Sequence, residues 1–577
     1  MKRILIVLTV AIASVLSLNA QVTISKKSID TYKKIKPETI FIQQNKTLIF
    51  SGEQLLYKVY CLNKDNTVGI SKIAYIELID ENKEKIFQHK IALNLATGYG
   101  DFTIPFTVPS GNYKLIGYTQ WMRNAGSTNY FVKDIYIINP FAENQAGIVL
   151  NNQKEAKQQT ARVQSSVIKL QLDKKIYQPR KKVSLEIKTS PNKQSFGNYT
   201  LSVKKLNNIS VDTAKVTINN YLQTQFNTLK NNFQMNGKSF LIYPPEHKGQ
   251  LITGKVLDIK SKLPAVNKRV ALSIPGKKFV IKIAETNQFG EFYFDLDKEF
   301  EGDKAIIQVS DSKRDNYKIT LSTKAIFDYS KLQFKKIELS ENDLKAIKKK
   351  SEYIQIENAY NEVKKDSFIK NEPKVTFYKP DYTYKLDDYK RFPTVHETMI
   401  EVIDHTWVTT KRGKHTFFVR DYKSTRKEDV LPLLLIDGVM IQNHEDLYNF
   451  NIKDIETINI ITDKFLFEKK VYGGVISVLT KKTDFTPISK GSYLLELHLT
   501  KPLLSKKYFN QNSSNKAYQR VPDYRTQLLW NPVVNLNTNS LPISFYTPDS
   551  KGIFEVKLEG FTFDGAPITV VETIKVE

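Results

Sequence analysis

Most of the chain alternates apolar and polar positions with the two-residue period of strands that bury one face. Gln54 to Tyr60, Ile73 to Ile79 and Tyr113 to Tyr118 carry this pattern early. Val167 to Leu172, Val183 to Ile187 and Tyr199 to Val203 carry it in the middle, and Tyr493 to Leu499, Ile543 to Tyr546 and Phe554 to Phe561 near the end. Asp564-Gly565 reads as a tight turn after the last of these. The period turns helical from Ser340 to Lys365, where Leu344, Ile347, Ile354 and Tyr360 share a face and Ser340 with Asp343 forms an N-terminal cap. A shorter helix is predicted from Val395 to Ile403, opened by the capping box Thr394-x-x-Glu397. Between residues 431 and 482 the pattern differs again. The apolar runs Leu433 to Ile436 and Ile455 to Ile461 are separated by a polar, Asn-rich connection with room for one helical turn, and Gly473-Gly474 then feeds a third run, Val475 to Leu479.

These patterns predict a mainly β protein, several β-sandwich domains in series plus one small α/β unit. A chain of 577 residues corresponds to about four domains at ~150 residues each. The expected divisions are a sandwich over 22–141, a polar linker over 142–166, a second sandwich over 167–245, a third over 246–330, a helical connector over 335–430 that leads into the α/β unit, the unit itself over 431–482, and a last sandwich over 484–577.

Three of these segments resemble known modules. The run into Asp437-Gly438-Val439, then Asp454-Ile455-Glu456-Thr457-Ile458, Val471-Tyr472-Gly473-Gly474-Val475-Ile476 and Thr480-Lys481-Lys482 resembles the plug domain of TonB-dependent outer-membrane receptors. The residues after Lys482 are too few for a receptor barrel, so the expectation is a plug-like module used outside its usual barrel. The resemblance implies docking on outer-membrane proteins through Ile436, Asp437, Gly438, Val439, Tyr472, Gly473, Gly474, Val475 and Ile476; the same residues could equally serve as turns of the plug fold. In 22–141, Phe50-Ser51-Gly52-Glu53, Pro109-Ser110-Gly111-Asn112-Tyr113-Lys114-Leu115 and Tyr118-Thr119-Gln120-Trp121-Met122-Arg123-Asn124 resemble the MG2 domain of the alpha-2-macroglobulin superfamily, an immunoglobulin-like sandwich, in the variant common among secreted proteins of Bacteroidota. In 246–330, Gly254-Lys255-Val256, Leu263-Pro264-Ala265, Val270-Ala271-Leu272 and Thr286-Asn287-Gln288-Phe289-Gly290-Glu291-Phe292 resemble a carboxypeptidase-regulatory-like domain. No His-x-x-Glu or His-Glu-x-x-His pair accompanies it to bind zinc.

The first residues change the picture of where the protein works. Lys2-Arg3, an apolar stretch from Ile4 to Leu18 and Asn19-Ala20 before Gln21 predict a secretory signal over 1–20. No Cys stands at the cleavage site, so a lipid anchor is not expected, and no other run approaches the ~18 apolar residues of a spanning helix. The protein is therefore expected in the periplasm, on the outer membrane or at the cell surface. The single Cys61 shares the parity of Leu55, Tyr57 and Val59 and reads as a buried thiol rather than a nucleophile. A formal net charge of +26 is carried mainly by Lys in short pairs that alternate with acids. That distribution speaks against nucleic acid, which selects a concentrated basic face. It suits solvated Lys-rich surfaces or attraction to an anionic envelope surface or acidic partner.

Candidate chemistry is sparse. Ser51-Gly52-Glu53-Gln54 differs by one residue from the Cys-Gly-Glu-Gln thioester motif, and without the thiol no thioester forms. Gly249 to Lys255 reads G-x-x-x-x-G-K, but Val256 follows where Ser or Thr would hold magnesium. His396 and His405, nine residues apart, do not share a helical face. No catalytic, metal or cofactor-binding residue is assigned. The expected function is that of a non-enzymatic envelope scaffold or accessory subunit. The alternatives are a carbohydrate or surface-ligand binder, with Trp121 and Trp530 as stacking residues unless both pack in cores, and a non-covalent protease inhibitor of macroglobulin type.

Overall fold

The computed structural model describes residues 22–577 apart from 26–27, 66, 152–162, 191–194, 207–208, 210–217, 238, 298–299, 323–327, 370–376, 421–429 and 488–490. The predicted signal segment and part of the 142–166 linker lie outside the described residues.

The first sandwich packs a sheet of Glu38–Gln44, Gln54–Asn63 and Thr97–Thr103 on a five-stranded sheet ordered Leu48–Phe50, Phe131–Ile138, Gly111–Tyr118, Ile73–Ile79 and Lys85–Ala92. Leu55, Tyr57, Val59 and Cys61 point into its core, as their parity predicts. The opposite parity of the same strand is buried too, because a second domain covers it. Tyr60 meets Phe561 at 4.9 Å. Lys58 is 1% exposed, donates to the Tyr199 carbonyl at 3.0 Å and to Asn198 Oδ1, and burial pushes its ammonium well below the usual lysine range. Burial also pushes the Cys61 thiol up, helped by the Glu38 carboxylate, which leaves it protonated and unreactive.

That covering domain overturns one expected division. Residues 167–245 and 484–577 do not form separate sandwiches. Ile168–Leu172, Lys182–Thr189 and Ser540–Tyr546 make one sheet; Ile176–Tyr177, Pro567–Val576, Gly552–Thr562, Gly197–Lys205 and Gln527–Leu536 make the other. Val183, Leu185, Tyr199 and Leu201 share a core with Phe545, Phe554, Val556 and Leu558. Four strands from each half cannot bury their apolar faces alone, so chain segments more than 300 residues apart complete each other. Residues 218–242 also leave the expected second sandwich. Ile218, Tyr221 and Leu222 of the helix Ile218–Thr228 pack on the first sandwich, and Ser239–Ile242 pairs with Val22–Ser25.

The third sandwich, Glu291–Leu296, Gln250–Asp258 and Tyr317–Leu321 against Val280–Glu285, Arg269–Ile274, Lys304–Val309 and Leu494–His498, is likewise closed by a late strand. Gly254 lies inside Gln250–Asp258, so the G-x-x-x-x-G-K string is a strand and not a phosphate loop. The α/β unit is inserted before that closing strand. Its sheet runs Tyr382–Lys385, Ile455–Ile461, Val475–Thr480, Leu433–Ile436 and Val439–Met440, beginning some fifty residues before the expected boundary at 431. The connection carries the expected helical turn at Glu445–Tyr448. The apolar runs are continuous because both sheet faces are covered. Leu434, Ile436, Ile476 and Val478 face Val395 and Met399 of the helix Val395–Glu401, while Leu433, Leu435 and Val475 meet Ala271, Phe279 and Ile281 of the third sandwich. The insertions are therefore nested, the α/β unit within the third sandwich and both within the second.

The long helix Glu341–Ala359 starts at the predicted capping box of Ser340 and Asp343. Its Ile347 and Ile354 pack on Leu48, Phe50 and Tyr136 of the first sandwich.

Candidate functional site

Asp437 and Gly438 form the turn between Leu433–Ile436 and Val439–Met440, with φ of 50° and 84°. Both positive angles belong to the primed hairpin turn that Asp-Gly favours. The Asp437 carboxylate, fully buried, accepts from Thr480 N at 2.7 Å, Thr480 Oγ1 at 2.7 Å and Phe485 N at 3.1 Å. Burial raises its pKa above the usual carboxylate value against the pull of those bonds. A Cβ on Gly438 would overlap the Phe279 ring, and one on Gly473 would overlap the Val430 carbonyl. Gly474, at φ 97°, abuts the Ile461 carbonyl and Val419. Ile436, Val439, Tyr472, Val475 and Ile476 are buried. The nine residues proposed for docking thus act as turns and core of the α/β unit and as its seat on the third sandwich. As an exposed docking surface they are corrected by their burial.

The seat has polar ties as well. Gln308 Nε2 donates to the Met440 carbonyl at 2.8 Å, Gln442 Nε2 to the Val309 carbonyl at 3.0 Å, and Arg269 Nη1 to the Glu468 carbonyl at 2.8 Å. Two hairpins stand outside the unit's central sheet, Thr406–Lys411 with Lys414–Val419 and Phe465–Phe467 with Lys470–Tyr472, each a two-stranded sheet of its own. In the second, Phe465 and Phe467 pack on Phe377, whereas the cross-strand pair Leu466 and Val471 is 68% and 49% exposed. The first carries Trp407 stacked on Phe418 at 5.2 Å and turns at Arg412 and Gly413, with Lys411, Arg412 and Lys414 all exposed.

His396 and His405 are half-buried aromatic contacts, His396 against Tyr448 at 5.4 Å and His405 on Tyr382 at 3.6 Å with Nδ1 bonded to Tyr384 Oη at 2.8 Å. Trp121 is fully buried, its Nε1 donating to the Lys36 carbonyl at 2.9 Å, beside Phe233. Its neighbour Asn124 bonds both the carbonyl and the amide of Tyr243, at 2.8 and 2.9 Å. The MG2-like string is therefore a clamp for the segment that follows Ser239–Ile242, and Trp121 is not available for stacking.

Trp530 sits differently. It is 4% exposed and lines a cleft of about 400 Å³ where the first sandwich, the long helix and residues 506–530 meet. At the cleft wall Glu53, from the thioester-like string, lies 2.8 Å from Lys46 and 3.1 Å from Lys350. Burial raises the Glu53 pKa, but the charges of Lys350 and Lys46 outweigh it and hold the carboxyl down to about 2. The same burial lowers Lys350 to about 8 despite Glu53. Tyr353 and Tyr524 stack at 4.6 Å and 16° along another wall. No sequence spacing points to this cleft, since its walls come from segments far apart in the chain; of the residues singled out in the sequence, Trp530 and Gly52-Glu53-Gln54 of the thioester-like string line it.

A scan against protein-family models finds no match, and a search of curated proteins finds none. Among solved structures, 97% of the chain aligns with Salmonella alpha-2-macroglobulin reacted with methylamine, at 9% identity and a TM-score of 0.23 over 40% of that protein. The native conformation of Escherichia coli alpha-2-macroglobulin aligns over 94% of the chain at 10% identity and a TM-score of 0.24. A CARDB domain from Pyrococcus furiosus aligns with 18% of the chain at 12% identity and a TM-score of 0.14. The chain spans about two fifths of the macroglobulins' length. At such TM-scores these alignments carry no argument, and the β-sandwich class rests on the sheets themselves.

Proposed function

We propose that this chain is a non-enzymatic protein of the cell envelope that presents its α/β unit to an outer-membrane protein. The observation that carries the reading is the cross-strand pair Leu466 and Val471, exposed on a hairpin of a unit whose central sheet is covered on both faces. The plug resemblance supplies the class of partner, and the predicted signal segment the compartment. Recognition works through the Leu466 and Val471 hairpin and the basic tip Lys411, Arg412 and Lys414, on a unit seated against the third sandwich and nested with it inside the second. Among the described residues no helix is long and apolar enough to cross a membrane.

The test is affinity purification of the tagged full-length protein from detergent-solubilised envelopes, beside Leu466→Asp/Val471→Asp. A stoichiometric outer-membrane protein retained by the wild type and lost with the folded variant supports the reading. A partner retained equally by both sinks it.

A further inference from the structure

The cleft beside Trp530 has the chemistry of a ligand site. Its five lining cations are all paired already: Lys46 with Glu53 at 2.8 Å, Lys364 with Glu357 at 2.7 Å, Lys506 with Asp101 at 2.8 Å, Arg525 with Asp523 at 2.7 Å, and Lys365 with Glu362. An anionic ligand would have to displace a carboxylate from each cation it used, and a cationic one would have to displace an ammonium. A neutral ligand rich in hydroxyl groups displaces neither, because each hydroxyl accepts from an ammonium and donates to a carboxylate while the pairs stay intact. The aromatic lining adds the apolar faces against which sugar rings pack.

A second observation points the same way. The Trp530 indole Nε1 is buried, and among the described residues nothing accepts its N–H. A buried unpaired donor is costly, on the order of 1–3 kcal/mol, and Trp530 is one of the residues that line this cleft. The volume, about 400 Å³, falls within the ~300–1,000 Å³ of small-molecule sites. We propose that this cleft binds a short neutral oligosaccharide, with Trp530 as a donor to a sugar oxygen and Tyr353 with Tyr524 as apolar wall. This does not rest on the partner assigned above, since the cleft is built from the first and second sandwiches and the long helix, away from the two hairpins.

The test titrates the full-length protein with maltohexaose, cellohexaose and mannohexaose, followed by calorimetry and tryptophan emission, with a hexagalacturonate as anionic counterpart. At least one neutral probe is expected to bind saturably and to change the emission. Trp530→Phe, which keeps a ring and removes the donor, should weaken it about five-fold and abolish the emission change although Trp121 and Trp407 remain. Gln54 is exposed and lines the cleft, so Gln54→Trp obstructs it without touching a core and should abolish binding even if Trp530→Phe folds poorly. No binding of any neutral probe, tighter binding of the anionic one, or binding indifferent to Gln54→Trp overturns the proposal.

Discussion

Gly438 lies flat against the ring of Phe279, at a φ of 84°, with no room for a side chain between them. The contact joins the α/β unit to the third sandwich. Gly438→Ala adds left-handed strain of roughly 1–2 kcal/mol and a steric overlap, so thermal unfolding should show a loss of about 3 kcal/mol. In a Phe279→Ala background the same substitution should cost at least about 1 kcal/mol less, the coupling expected of residues in contact. Equal cost in both backgrounds would mean that the two units are not seated on each other in this way.

Glu53 ties the first sandwich to the long helix through Lys350. Its carboxyl is held down to about 2 against an ordinary 4.5. Its contribution is therefore complete above about pH 4.5 and lost as the pH falls toward 2. Glu53→Gln strands two buried ammoniums and should cost about 3–5 kcal/mol at neutral pH, with the gap to wild type closing through that acid window in urea titrations. On the alkaline side, Lys350 lowered to about 8 from 10.5 makes the folded state shed its proton first, so stability should rise across that interval. Lys350→Met removes that rise.

The nested topology predicts that the second sandwich survives excision of everything inside it. Lys204 and Gln527 are cross-strand neighbours, so a chain of residues 163–205 joined by Asn-Gly to 527–577 should fold cooperatively by calorimetry and circular dichroism. Residues 484–577 alone should remain unfolded, lacking the central strand Gly197–Lys205.

The legible and illegible parts of this fold divide along physical lines. Parity placed Leu55, Tyr57, Val59 and Cys61 in a core, and the capping box of Ser340 and Asp343 marked a helix start, because both signals are local. The partner of a strand is not local. Nothing in Tyr199 to Val203 specifies Val534 or Leu558 rather than a nearer strand, so one sandwich was divided into two. The α/β strands were found from their apolar runs, whereas the meaning of Asp437 and Gly438 depended on Phe279, some 160 residues away. Trp530 stood out as a large aromatic, but the paired charges around it could be assembled only in three dimensions.

The basic hairpin tip makes salt a discriminating variable. Lys411, Arg412 and Lys414 are exposed, and exposed charges are screened over about 8 Å at physiological ionic strength. Association with envelope partners should weaken on raising salt, and Lys411→Ser/Arg412→Ser/Lys414→Ser should flatten that dependence while leaving thermal stability within about 0.5 kcal/mol. An unchanged salt slope in the variant would remove the tip from the interface.

Site-specific photo-crosslinking tests the central claim most directly. A benzophenone amino acid placed at Leu466, and in a parallel protein at Leu263, 64% exposed on the third sandwich, is irradiated in intact cells and the adducts are identified by mass spectrometry. The account predicts a single dominant adduct with an outer-membrane protein at Leu466 and none at Leu263. No adduct at Leu466, or the same spread of adducts at both positions, would contradict it.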